Sequence, residues 1–476
     1  MRSSEPVEIE KNQSDPKING AAEDKEEEVI DEIEMILPLN WDGYDAACLM
    51  ILILIGIFSR FWIIQYPRHY VRGEDKTIGY INSYINGSFF VDGQPPLATI
   101  ILSWISYMED YHVSYHPPSN ESNFTFPTME YVGLRSPSAF FSTVLIPLSF
   151  FIVRVFNGGR FGALAAAIFT LLDFSLIANA RHVSTDGFIQ MFVGFSVLFT
   201  ALLSHFKEKS FSWWVIAFLQ SLFVGFSVSS TYYAIPLLIF VSFYNFISFK
   251  NFDALSLNLI VSIFIFLMSF TLHVILLPYH SIYDSVLSNK YQDLLLNPSF
   301  AFSTDYLSLP WRVAEVISLS IRSYSHISND KWYNWPLMTQ KWNILWSQQG
   351  RYIACFGNLP VWWCICFWVV FEFIKFVFSK KITQPTTFML IGYSMSISVF
   401  FFAKSERGLC DYQIPLLFGI WGMSMSINQE LPPTAAGFVY SALILSCIFI
   451  FLLWSPLVYG YENFDMRFLP YFAVLP

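Results

Sequence analysis

Charge is scarce in this chain. Of its 476 residues, 13% are charged, 54% hydrophobic and 19% aromatic. Soluble domains carry about 25% charged residues, so an ordinary soluble enzyme is excluded. Nothing basic points to nucleic acid. The six cysteines show no CxxC pattern. Most sit in or beside apolar runs, where they read as small buried residues that neither demand nor exclude a disulfide. No nucleophile elbow, P-loop or dinucleotide fingerprint stands out. His112 and His116 have helical spacing but no third ligand, so no metal is expected. No internal repeat is visible, which argues against a transporter built from paired repeats. The start has no basic region followed by a short apolar run, so the first long apolar span is expected to direct the chain to the membrane.

Long apolar runs are abundant. A helix needs about 20 apolar residues to cross a bilayer. The runs predict an all-α polytopic membrane protein with eleven spans, at about 46–64, 139–155, 161–178, 187–204, 212–229, 231–248, 256–277, 359–378, 387–403, 409–426 and 436–456. Residues 1–36 hold twelve acidic and four basic residues, a net of −8 within the chain's −9. This tail reads as disordered. A cytosolic tail would leave eight basic residues in the short loops and span ends of that side, and three (Arg181, Lys404, Arg407) opposite. The basic excess on the cytosolic side predicts a cytosolic N-terminus and a luminal C-terminal tail, 461–476. The membrane domain then covers 45–460, with long luminal loops at 65–138 and 278–358.

The first long loop carries the sequons at Asn86, Asn120 and Asn123. It also contains Leu97–Tyr107, too short to span and preceded by Pro95-Pro96, which reads as a re-entrant or interfacial helix. The second loop is rich in tryptophan (Trp311, Trp332, Trp335, Trp342, Trp346), a residue suited to the membrane–water boundary.

Polar residues concentrate in Tyr66–Pro96 and in the tight loop RHVSTDG. Ionisable groups beside spans are costly and are usually retained for function. Glu74, Asp75 and Asp92 are candidate bases for deprotonating an alcohol, each with the alternative of a solvated loop acid. Arg181 suits an anion such as a phosphate, with Asp173 or Asp186 holding it. The alternative is an internal ion pair that fixes the hairpin.

The order of these motifs resembles the protein O-mannosyltransferase family. The resemblance rests on FSRFWIIQYP, RGED, SFFVDGQPPLATIILSWISY, YVGLRSPSAFFSTVLIPLSFFIVRVF, LLDFSLIANARHVSTDG, KWYNWP, GNLPVWW and DYQIPLLFG, and spans most of 45–460. It implies a GT-C glycosyltransferase fold in the endoplasmic reticulum membrane. It implies transfer of mannose from dolichyl phosphate mannose to Ser or Thr hydroxyls of secretory proteins, with no further cofactor. A hetero- or homodimer with another family member is also implied. By resemblance Arg181 contacts the donor phosphate. Three departures stand out. Gly73 occupies the position of the family's catalytic aspartate, whose neighbour is matched by Glu74. Gln94 replaces the histidine before the two prolines. The soluble β-trefoil (MIR) domain usual in eukaryotic members has no place in the 278–358 loop. The expected function is protein O-mannosylation. The alternatives are a weak or non-catalytic subunit of such a complex, another polyprenyl-phosphate-sugar transferase, or a transporter.

Overall fold

In lipid each backbone polar group must be satisfied internally, so a chain this apolar folds as helices. The computed structural model describes residues 42–113, 125–250, 252–296, 307–324, 332–339, 342–379, 384–402 and 408–463. The acidic tail, the sequons at Asn120 and Asn123, His116, Lys404, Arg407 and the end of the C-terminal tail lie outside the described residues.

The first helix, α1 (Gly43–Phe61), is capped by Asp42, which accepts from the amides of Tyr44 and Asp45. Two loop helices, α2 (Glu74–Asn86) and α3 (Leu97–Met108), and their connections separate it from the next span. Then come α4 (Tyr131–Val155), α5 (Gly159–Leu172), α6 (Phe174–Ala180), α7 (Asp186–Leu203), α8 (Phe211–Val228), α9 (Ile235–Phe249) and α10 (Asp253–Leu276). The second long loop contributes α11 (Leu309–Tyr324) and an antiparallel pair, β1 (Asn343–Gln348) and β2 (Arg351–Cys355), with an irregularity between Ile344 and Trp346. The chain closes with α12 (Leu359–Ser379), α13 (Pro385–Phe402), α14 (Gln413–Glu430) and α15 (Pro433–Trp454).

All eleven expected spans fall on helices. Eight of the described helices are long and apolar enough to cross a membrane, or nine if α5 and α6 form one span bent by 53°. The eleven-span expectation counted α13 and α14 as well. Helix α14 is buried continuously from Gln413 to Ser426. A helix wrapped by protein does not have to meet the apolarity that lipid demands. Helix α3 is the short apolar element expected in the first loop.

The α5–α6 bend shows how the polar groups are arranged. Helix α5 stops at Leu172 because Asp173 turns extended and caps α6, accepting from Ser175 and Leu176 amides at 3.0 and 3.1 Å. The carbonyls freed at the end of α5 are taken by Arg60, which donates to Thr170 at 3.1 Å and Leu171 at 2.8 Å. Arg60 is itself fully buried. A break inside apolar surroundings persists only where its orphan groups find such partners.

Helices α4 and α7 cross at Gly187. A Cβ there would lie 1.9 Å from the Ser138 carbonyl oxygen, so glycine is what permits this approach. Gly187→Ala is expected to destabilise the chain by about 1–3 kcal/mol, read as a lower melting temperature in detergent.

The tryptophans of the second loop depart from expectation. Trp335, Trp342 and Trp346 are buried within the protein, and Trp342 stacks on Phe356 with centroids 4.3 Å apart. Their sequence signature is the same as that of interfacial anchors, but here they fill the core beneath the loop.

Candidate active site

The stretch Tyr66–Pro96 is shaped by one arginine. Arg135, in the first turns of α4, is fully buried. It donates to the backbone carbonyls of Ile64, Pro67 and His69 at 3.1, 3.0 and 3.2 Å, fixing the loop that enters α2. It also binds Glu74 through one edge of the guanidinium, Nε to Oε1 at 2.7 Å and Nη2 to Oε2 at 2.8 Å. Glu74 accepts further from the amides of Val71 (2.9 Å) and Val183 (2.8 Å). Burial pushes its carboxyl up, but the charge and hydrogen bonds of Arg135 prevail and hold it below the usual glutamate range. Arg135 was not singled out in the sequence. Its signal was available, as an arginine just inside an apolar helix in YVGLRSPSAFF.

Beside this anchor lies a cavity of about 270 Å³. One wall is the start of α2, with Arg72, Gly73, Lys76 and Tyr80. A second is the loop before α3, with Asp92 and Gln94. A third is the α6–α7 connection, with Asn179, His182, Val183, Ser184 and Thr185, and Thr231, Leu345 and Asp411 are among the remaining lining residues. The walls are tied together by backbone. The Arg72 amide donates to Leu345 of β1 at 2.8 Å, and the Leu97 amide to Ser229 at 2.9 Å. Gly73 has φ of +93°, and a Cβ built on it meets no atom within 4 Å. The corner where the resemblance places an aspartate is therefore open.

The structure separates the expected site residues. Asp92 lines the cavity, 15% exposed, with Lys76 Nζ at 3.1 Å and the Tyr80 hydroxyl donating at 3.1 Å. Gln94 lines it too, accepting from Thr231 at 3.1 Å and the Tyr232 amide at 3.2 Å. Two candidates for the base are corrected. Glu74 is not among the lining residues, and both of its oxygens are consumed by Arg135 and two amides. Asp75 is exposed on the outer side of α2 and does not line the cavity either.

Arg181 also departs from its expected role. Its guanidinium donates to the carbonyl of Arg60 at 2.8 Å, with longer approaches to Ser59 (3.5 Å) and Ile63 (3.4 Å), and lies 4.5 Å from the Tyr459 ring centroid. It caps the end of α1, as Arg60 caps α5, and it is not a lining residue. Neither aspartate holds it. Asp173 is spent on the α6 cap, the Asn358 amide (3.3 Å) and the Trp362 indole (2.7 Å). Asp186 accepts from Gln413 at 2.9 Å. Two lining residues, His182 and Asp411, were missed, because each comes to the cavity from a segment whose approach only folding decides. His182 sits in RHVSTDG, with Nδ1 2.9 Å from the Ala178 carbonyl. Among the described residues no group of three or more His, Cys, Asp or Glu could hold a metal ion.

This architecture has known counterparts. The chain superposes on a protein of the Saccharomyces cerevisiae O-mannosyltransferase Pmt1-Pmt2 complex bound to the sugar donor with a TM-score of 0.78. That match is 12% identical and covers 90% of this chain and 92% of that one. The Archaeoglobus fulgidus oligosaccharyltransferase tethered with an acceptor peptide matches with a TM-score of 0.52 at 11% identity, over 89% of this chain and 56% of the other. The fold is thus that of the GT-C glycosyltransferases. In sequence, dolichyl-phosphate-mannose–protein mannosyltransferase 4 of Candida albicans is 20% identical over 344 residues, 68% of this chain and 45% of the relative. Protein O-mannosyl-transferase 2 of Danio rerio is 27% identical over 169 residues, 35% of this chain and 22% of the relative. The chain spans less than half the length of these curated relatives. Residues 50–284, from α1 through the end of α10, match the family profile described as dolichyl-phosphate-mannose-protein mannosyltransferase. That region, just under half of the chain, contains Gly73, Lys76, Asp92, Arg135 and Arg181, and through it the chain is similar in sequence to the protein O-mannosyltransferases.

Proposed function

We propose that this chain transfers mannose from dolichyl phosphate mannose to Ser or Thr hydroxyls of secretory proteins in the endoplasmic reticulum membrane, with its long loops luminal. The observation that carries this reading is the cavity framed by the long loops of a chain similar to the protein O-mannosyltransferases. It joins an accessible carboxylate, Asp92, to two cations, Arg72 and Lys76. The acceptor oxygen forms a bond to the anomeric carbon as that carbon's bond to the phosphate oxygen breaks. The electron pair leaves with the dolichyl phosphate, and Asp92 takes the hydroxyl proton. Attack opposite the leaving group inverts the anomeric centre. Dolichyl phosphate is stable as an anion, so the reading calls on no cofactor beyond the lipid-linked donor.

Gly73 favours a second version, in which this chain is the weaker member of a pair with another family protein. An aspartate expected as base is missing and its corner stands empty. Gly73→Asp tests this. Aspartate tolerates the left-handed backbone better than most residues, and its side chain has room. In the purified chain, with dolichyl phosphate mannose and a Ser/Thr peptide, the variant is expected to raise mannosyl transfer by about 10²-fold, the range of one added general base. An unchanged rate at equal folded protein would show that this corner does not face the acceptor. Wild-type chain, assayed alone and with a second family member, measures how much of the activity needs a partner. No mannose on the peptide in either assay would sink the reading.

A further inference from the structure

We infer that Lys76 is the donor-phosphate ligand of this chain, and that it reaches the phosphate by exchanging it for Asp92. The inference rests on the lipid-phosphate donor proposed above. It starts from the displacement of Arg181, whose guanidinium is committed to the carbonyls at the end of α1 and to Tyr459. Among the described residues, the lysine and arginine side chains lining the cavity are Arg72 and Lys76, both on the α2 side. Lys76 is the one aimed across it. Its ammonium lies 3.1 Å from Asp92 Oδ1 and 5.6 Å from the Tyr80 ring centroid.

The pair is lopsided. The Lys76 side chain is 48% exposed and that of Asp92 is 15% exposed. A flexible, half-solvated ammonium can change partners at little cost, whereas Asp92 is held by Tyr80 and the loop before α3. A phosphate carries more negative charge than a carboxylate and offers more acceptor oxygens. When the donor enters, Lys76 swings to the phosphate and leaves Asp92 with Tyr80 alone. The same movement neutralises the leaving group and uncovers the carboxylate that takes the acceptor proton. Among the described residues, the other titratable groups near Asp92 are Tyr80, which donates to it, and Tyr84 of α2, Tyr232 before α9 and His273 of α10, which lie within reach of its charge. None supplies a second lysine or arginine.

The exchange makes two variants move in opposite directions. Full-length chain in detergent is titrated with dolichyl phosphate, with dolichol as the phosphate-free control and inorganic phosphate as the lipid-free one. Lys76→Met is expected to weaken dolichyl phosphate binding about tenfold and Lys76→Arg to restore most of it. Asp92→Asn is expected to tighten binding severalfold, because the carboxylate that competes with the phosphate for the lysine is gone. Dolichol affinity should not change in any of them. Equal binding by wild type and Lys76→Met overturns the assignment. Weaker or unchanged binding in Asp92→Asn overturns the exchange, and no phosphate-dependent binding by the wild type overturns both. Since these readouts need no turnover, they are separate from the mannosyl-transfer assay. A chain that transfers no mannose but shows the opposed shifts keeps this inference and loses the proposed activity.

Discussion

Asp92→Asn is expected to lower mannosyl transfer by the purified chain by about 10²- to 10⁴-fold, the usual contribution of a general base. The amide keeps the shape of the side chain and its bond from Tyr80, but it cannot take a proton. The acceptor KM should change little, so that the loss falls on kcat. Thermal stability should hold, since the partner it loses, Lys76, is half-exposed and such pairs contribute about 0–1 kcal/mol. Combined with the tightened lipid-phosphate binding expected of the same variant, this separates a base from a structural residue. A damaged site would lose both binding and turnover. Full turnover in Asp92→Asn would remove this residue from the mechanism.

Glu74→Gln is expected to act through the fold. Removing one partner of a buried, hydrogen-bonded pair costs about 3–5 kcal/mol, most of it from the charge left behind. Here the stranded group is Arg135, which also holds three loop carbonyls, so the entry to α2 should loosen and the melting temperature in detergent should fall. The double variant Glu74→Gln/Arg135→Met should lose less than the sum of the two single changes. Activity per folded molecule should fall far less than in Asp92→Asn. The pair also gives stability a pH dependence. The Glu74 pKa is lower in the folded chain than in the unfolded one. Its contribution is therefore complete above the unfolded value of about 4.3 and is lost as pH falls through the folded value. Arg135→Met should flatten this acid limb. An unshifted melt in Glu74→Gln would contradict the anchor assignment.

The placement of charges explains how far the sequence could be read. Glu74 and Asp92 carry the same functional group in the same polar stretch, and a sequence cannot rank them. Their difference lies in Arg135, which is 61 residues from Glu74 in the chain and becomes its partner only when α4 packs behind α2. Arg181 and Arg60 show the same limit. Each looks like a charge beside a span waiting for an anion, yet each is absorbed by helix ends that exist because the chain breaks at Phe61 and at Asp173. The Lys76–Asp92 pair was likewise hidden, since α2 and the turn after it must form before residues 16 apart in sequence can face each other.

What the sequence determined by itself was the environment and the class. Apolar runs of membrane length admit helices and little else, because lipid offers backbone groups no other partner. The order of motifs from FSRFWIIQYP to DYQIPLLFG carried the resemblance to the protein O-mannosyltransferases, and glycine at position 73 was legible as a departure from it. Tertiary structure alone decided which polar groups are structural and which face the cavity. A carboxylate or guanidinium has several possible partners, and burial beside one of them removes it from chemistry. The close approach of distant helices made that choice. It left Asp92, with Lys76 against it, as the carboxylate of the opening stretch that faces the cavity.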